Sequence, residues 1–267
     1  MNSRMSNARE GEIKEGDFVL VNVRVADAET GKVYMTTIEE EAREAGIYSP
    51  DDLYEPMLIV VGEGRIFKRA EESMVGRRVG EEIEVELEPK DAFGEYDPDR
   101  EKIFPISRLR KAGIKDVAVG DIIRYGDERG IVRSISGGRV RIDFNHPLAG
   151  RRIRVWLRPE AILTDPAEMV RALVARYFDV PLDRVSARVD GEVAEVELPP
   201  AAYTRRDAFV RKIRVMSAVM RWLKDLKRVR FVEEFEVPEE EAEVSEREEG
   251  AGEVEAEASS EATSKEA

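Results

Sequence analysis

Residues 61–97 read V-G-E-G-R-I-F-K-R-A-E-E-S-M-V-G-R-R-V-G-E-E-I-E-V-E-L-E-P-K-D-A-F-G-E-Y-D. A tight turn, Gly62-Glu63-Gly64, predicts the start of a short helix over Arg65–Met74, and Gly76 and Gly80 end it and reverse the chain. Ile83, Val85 and Leu87 then alternate with Glu82, Glu84, Glu86 and Glu88, a period of two that predicts a strand with one face in a core and one in water. The stretch closes on Ala92-Phe93-Gly94, an aromatic carried on a turn.

On the N-terminal side, Asp17–Val25 alternates as a first strand, Glu29-Thr30-Gly31 reads as a hairpin turn, and Lys32–Thr37 as the returning strand. Glu39–Ala45 has helical propensity, and Met57–Val61 is short and apolar enough for a buried strand. On the C-terminal side, short strands separated by Gly-rich turns predict a small β-rich unit over residues 102–142. Ile153–Leu163 reads as a strand returning to the first domain. Asp165-Pro166-Ala167-Glu168 opens a helix, with Asp165 as cap and Pro166 in the first position. Two strands joined at Asp190-Gly191 follow, then a helix over about Arg205–Leu226 with Phe209, Ile213, Met216, Met220 and Leu223 on one stripe, then a final strand over Val229–Val237. That stripe reads as core or as a dimer interface.

Composition narrows the chemistry. The 267 residues contain no cysteine and one histidine, His146, which excludes disulfides, thiolate sites and His-cluster metal sites. The net charge of −14 is concentrated in residues 238–267, where twelve Glu face one Arg and one Lys; the other 237 residues carry −4. That tail is expected to be disordered. No apolar run is long enough for a membrane span, and the polar segment 1–16 has no signal-like core, so a cytoplasmic protein without membrane contact is expected. Arginine far outnumbers lysine, which suits a thermophile. Two basic clusters stand out: ten Lys/Arg against four Asp/Glu over Lys102–Arg141, and ten against two over Arg205–Arg230. They read as solvated faces, with ribosome or RNA contact as the sharper alternative. Gly62-Glu63-Gly64 lacks the third glycine and the lysine of a nucleotide loop, and the Glu81–Glu88 run reads as a solvated strand face.

The motifs G-K-V-Y-M-T-T (Gly31–Thr37), V-G-E-G-R-I (Val61–Ile66), A-F-G-E-Y-D (Ala92–Asp97) and F-N-H-P-L-A-G (Phe144–Gly150) occur in an order that resembles the FKBP-type peptidyl-prolyl isomerases of the SlyD-like, long archaeal kind. The resemblance covers about Gly16–Leu163. It implies an α+β fold: an antiparallel FKBP-type sheet wrapped on a short helix (residues 17–101 and 143–163), and an inserted small β-rich chaperone domain, the insert in the flap (102–142). A C-terminal α-β-β-α-β domain (165–237) would follow, which in some archaeal members serves homodimerisation. It implies a substrate pocket at Tyr34, Met35, Ile66, Phe67, Ala70, Phe93, His146 and Leu148. No metal and no cofactor is implied, and no catalytic acid or base. Unfolded or nascent polypeptides with X-Pro bonds would be the partners. Taken as residues alone, Tyr34 and Phe93 read equally as core aromatics, and His146 as a hydrogen-bonding loop residue.

Four positions depart from the family pattern. Val23 and Val155 stand where aromatics are usual, Met35 where an aspartate is usual, and Arg69-Ala70 where a bulky platform is usual. An apolar pocket still suits the reaction, because twisting a prolyl amide breaks no bond and only gives up resonance. An alternative expectation is a non-enzymatic holdase with an eroded pocket.

Overall fold

The computed structural model describes residues 11–235. In chain order the elements are β1 (Phe18–Asp27), β2 (Val33–Thr36), α1 (Glu39–Glu44), β3 (Met57–Val60), α2 (Lys68–Glu72), β4 (Ile83–Leu87), β5 (Glu101–Pro105), α3 (Ile106–Lys111), β6 (Ile122–Tyr125), β7 (Glu128–Ser136), β8 (Arg139–Asp143), β9 (Ile153–Leu163), α4 (Pro166–Phe178), β10 (Ser186–Asp190), β11 (Val193–Leu198), α5 (Pro200–Tyr203), α6 (Ala208–Trp222) and β12 (Arg228–Glu233). They form a mixed α+β protein with three sheets. The acidic segment 238–267 and residues 1–10 lie outside the described residues.

β1 organises the first sheet, in the order β2-β1-β9-β4. One edge of β1 lies antiparallel to β9 along its whole length, from Phe18↔Leu163 to Asp27↔Ile153. The other edge is shared: Phe18–Val21 pair with β3, and Arg24–Ala26 with β2. Side chains alternate across a strand, so Val19, Val21, Val23 and Val25 point into a core with Ala70 and Met74 from the α2 segment. Phe18 and Leu20 point the other way. They are buried as well, in a cluster with Leu173, Val174 and Phe178 of α4. The run Phe18-Val19-Leu20-Val21 is apolar without alternation because the C-terminal helix covers the second face.

The segment expected to hold a β-rich unit forms an antiparallel sheet in the order β5-β8-β7-β6. It has a core of its own in Phe104, Leu109, Val132, Val140, Ile142 and Phe144. The helix α3, which supplies Leu109, was not expected. Gly130 in β7 has no room for a side chain: a Cβ there would stand 2.6 Å from Ile142 Cγ2 and 3.0 Å from the Asp143 carbonyl.

In the C-terminal part Asp165 caps α4, its carboxylate accepting from the Ala167 N–H at 2.8 Å, with Pro166 leading the helix. The sheet order is β10-β11-β12, antiparallel then parallel. Two expectations need correction. The helix expected over Arg205–Leu226 begins at Ala208, after a separate turn of helix, α5, started by Pro199-Pro200, so the order is α-β-β-α-α-β. The stripe Phe209, Ile213, Met216 and Met220 is not core: those side chains are 73, 43, 38 and 71% exposed. Ala208, Val215, Ala218 and Val219 form the inner face instead. α6 is apolar on two stripes, and the smaller side chains fit against α4.

Candidate active site

The expected helix over Arg65–Met74 is shortened at its start, and Glu71 is the reason. This carboxylate is fully buried. One oxygen accepts from the N–H groups of Gly62 (3.1 Å) and Gly64 (2.9 Å), the other from those of Arg65 (2.6 Å) and Ile66 (3.2 Å). Gly62 and Gly64 have φ of 91° and 79°, a region open to glycine, and this curls the four amides around one acceptor. The backbone is thereby held out of the helix through Phe67, which is extended at φ −125°, ψ 132°. Ile66 and Phe67 are presented sideways, half-buried, on the core of the first sheet. The sequence alone gives Glu71 no role; the preceding Gly-x-Gly is its one legible signal.

The second wall comes from the turn after β4. Phe93 meets Phe67 edge to face, with ring centroids 5.3 Å apart, and stacks on His146 at 4.5 Å with the planes 2° apart. The turn and the loop bearing His146 are tied together. Gly150 N–H donates to the Gly94 carbonyl (2.8 Å), Asp97 N–H to Asn145 Oδ1 (3.1 Å), and Asn145 Nδ2 to the Asp97 carbonyl (2.8 Å). Buried Asn145 thus bridges segments 48 residues apart. His146 is exposed, and its Nδ1 accepts from the Leu148 N–H at 3.2 Å, so the ring is oriented by its own loop.

Phe67, Phe93 and His146 make an aromatic enclosure, and Tyr34 and Met35 of β2 are half-buried, like Ile66, against the same core. Leu148 lies with Tyr34 and His146 along a groove beside it. Ala70 does not join them. It is fully buried, one helical turn inward from Phe67, so it can carry the floor from below but offers no surface to a substrate. Val23 and Val155, also fully buried, make the floor aliphatic.

Asp27 at the end of β1 was not foreseen. Its carboxylate accepts from the N–H groups of Glu29 (3.0 Å) and Thr30 (2.8 Å), from the Tyr34 hydroxyl (3.1 Å) and from Arg151 Nη1 (2.8 Å). It has almost no water-accessible surface, yet its hydrogen bonds outweigh burial in setting its acidity. The Thr30 amide first, and Arg151 next, hold it well below the usual carboxylate range. Burial, and then the bond to Asp27, push the Tyr34 phenol up. Tyr96, on the same turn as Phe93, donates to Glu101 at 2.6 Å and is pushed up to about 12 by that bond.

A more enclosed cavity, about 160 Å³, lies between β1, β3 and α4, lined by Leu20, Leu58, Ala172, Val180 and Arg176 among others. It lies under α4 and is lined by none of the aromatics just described. Among the described residues no helix is long and apolar enough to cross a membrane.

Two family models match the chain: the one described as FKBP26, IF domain, over residues 102–148, and the one described as FKBP26 C-terminal, over residues 166–236. The short-type peptidyl-prolyl cis-trans isomerase of Methanocaldococcus jannaschii is 33% identical over 156 residues, which is 58% of this chain and 96% of that protein. The FKBP-type 16 kDa peptidyl-prolyl cis-trans isomerase of Escherichia coli K12 is 32% identical over 117 residues, 42% of this chain and 76% of that one. The SlyD isomerase of Treponema pallidum is 27% identical over 137 residues, 49% and 75%. With a third of the aligned residues identical along nearly the full length of one such enzyme, and with the SlyD isomerases among its relatives, the chain belongs to the FKBP-type peptidyl-prolyl cis-trans isomerases, of the SlyD-like kind.

Proposed function

We propose that this isomerase serves as a cytoplasmic folding chaperone, turning over X-Pro bonds of unfolded or nascent chains against Ile66, Phe67 and Phe93 while the β5–β8 unit holds the flanking segment. The barrier to prolyl rotation is roughly 20 kcal/mol because the planar amide is stabilised by resonance. That planar form is the more charge-separated one. An enclosure of aromatic and aliphatic side chains solvates charge poorly, so it disfavours the planar amide relative to the twisted one. No proton needs to move for that rotation.

The observation that carries the holding role is the surface of the β5–β8 unit. Ile103, Val119 and Ile122 are 60, 63 and 73% exposed there, apolar side chains that an extended chain could cover. A proline-limited refolding assay tests the catalytic half. Phe93→Ala is expected to lower the acceleration at least tenfold while the circular dichroism stays native. An unchanged rate would remove Phe93 from the site. An aggregation assay tests the other half: Ile122→Asp with Val119→Asp should lose protection and keep isomerase activity on short peptides, and full protection by that variant would refute the holding role.

A second copy of the chain is the proposed cover for the exposed α6 stripe. Sedimentation of Ile213→Glu with Met216→Glu against wild type tests it, an unchanged mass being the adverse result. The ten-to-two basic excess over Arg205–Arg230 favours ribosome or RNA contact as a second reading, which salt-dependent RNA binding would support and its absence would end.

A further inference from the structure

The groove beside the aromatic enclosure is edged by Thr30, Lys32, Tyr34, His146, Leu148 and Arg151, and its charges are not matched. Lys32 is exposed, and its ammonium stands 5.8 Å from the centre of the Tyr34 ring. It makes no ion pair with a described residue. Arg151 gives Nη1 to Asp27 and keeps half of its side-chain surface in water. The two carboxylates nearby are already engaged. Asp27 is fully taken up by two amides, the Tyr34 hydroxyl and Arg151. Glu29, on the hairpin, pairs with Arg152 at 3.5 Å. A cation is thus left over at the mouth of the groove, while the usual carboxylate of the motif is replaced by Met35.

His146 links this groove to the enclosure: it stacks on Phe93 on one side and lines the groove on the other. A peptide advances about 3.3–3.6 Å per extended residue, so a side chain one or two residues from a proline held at Phe93 reaches the groove. We infer that the groove selects segments with an acidic residue beside the proline, whose carboxylate meets Lys32 and Arg151. This rests on the reading that X-Pro segments bind against Phe67 and Phe93. Exposed ion pairs typically shift an equilibrium by about one and a half to fivefold each, so the preference is of that order and fades with salt.

The test measures kcat/KM of the full chain by NMR exchange on short proline peptides. Leu, Gln, Glu or Lys is placed just before or just after the proline, at low salt and at about 0.15 M. Glu is expected to exceed its isostere Gln about two- to fivefold at one flank at low salt, with the ratio shrinking at the higher salt. In Lys32→Glu the ratio should invert, Lys now exceeding Gln. Equal rates for Glu and Gln at both flanks, with Leu peptides still turned over, would overturn the inference and leave the isomerase site standing. Turnover of no peptide would overturn both together. A Glu advantage that persists unchanged in Lys32→Glu would also refute it, because the unpaired Lys32 would then contribute nothing to the preference.

Discussion

Glu71→Gln removes one charge from the interior and changes little in shape. Each Glu71 oxygen accepts from two backbone N–H groups, at 2.6 to 3.2 Å. Glutamine keeps one acceptor oxygen and turns an NH₂ group toward the other pair, so two charge-assisted bonds are lost and donors face donors. Such bonds are worth about 1.5–3 kcal/mol each. Part of this returns through water, because Gly62, Gly64 and Arg65 lie at the surface. About 2–4 kcal/mol of stability should therefore go, a fall in Tm of about 4–16 °C for a chain of this size. Isomerase activity should fall beyond the loss of folded protein, since the same bonds hold Ile66 and Phe67 sideways. Thermal unfolding by circular dichroism and peptide isomerisation are measured on the same samples. If Glu71→Gln stays within about 0.5 kcal/mol of wild type, the amides do not depend on this carboxylate and the account of the α2 start is wrong.

Three further changes probe other links. Asp27 is held below its ordinary acidity, so the unfolded chain takes up its proton first; its stabilisation is complete above about pH 4 and drains as pH falls below that. Asp27→Asn should be less stable than wild type at pH 7, with the gap closing on acidification; a gap constant from pH 7 to pH 2 would contradict the hydrogen-bond network. Gly130→Ala should cost about 1–3 kcal/mol by overpacking Ile142 and Phe144. It should weaken protection against aggregation while peptide isomerisation is spared, and equal loss of both would show that the two units do not act separately. Arg176 of α4 reaches Glu63 before α2, Nη1 to Oε2 at 2.5 Å, with 9 and 14% of the side chains exposed. Arg176→Met should cost about 2–4 kcal/mol by stranding a carboxylate, and Glu63→Leu in the same chain should recover most of it; no recovery would mean that the loss comes from packing.

What could be read from the sequence follows from the range of the forces involved. The strands were legible because alternation and apolar runs are local, and β9 was placed at Ile153–Leu163 with both ends correct. Tyr34, Met35, Ile66, Phe67 and Phe93, picked out by their motifs, all pack partly buried on the core of the first sheet. Ala70 had the right neighbours in sequence and the wrong direction in space: Phe67 is still extended, whereas Ala70 lies within α2 with its side chain fully buried. Asp27 and Glu71 were hidden for a different reason. Their partners are backbone amides, which every residue has, and in one case an arginine 124 positions away. A buried carboxylate that organises amides looks, letter by letter, like any solvated one. α6 shows the converse. Phe209, Ile213, Met216 and Met220 carry the stronger apolar period, yet the weaker stripe of Ala208, Val215, Ala218 and Val219 faces α4. Periodicity reports that a face avoids water, not which partner relieves it. Of the two stripes on α6, the one with smaller side chains packs against α4, and the larger side chains remain exposed.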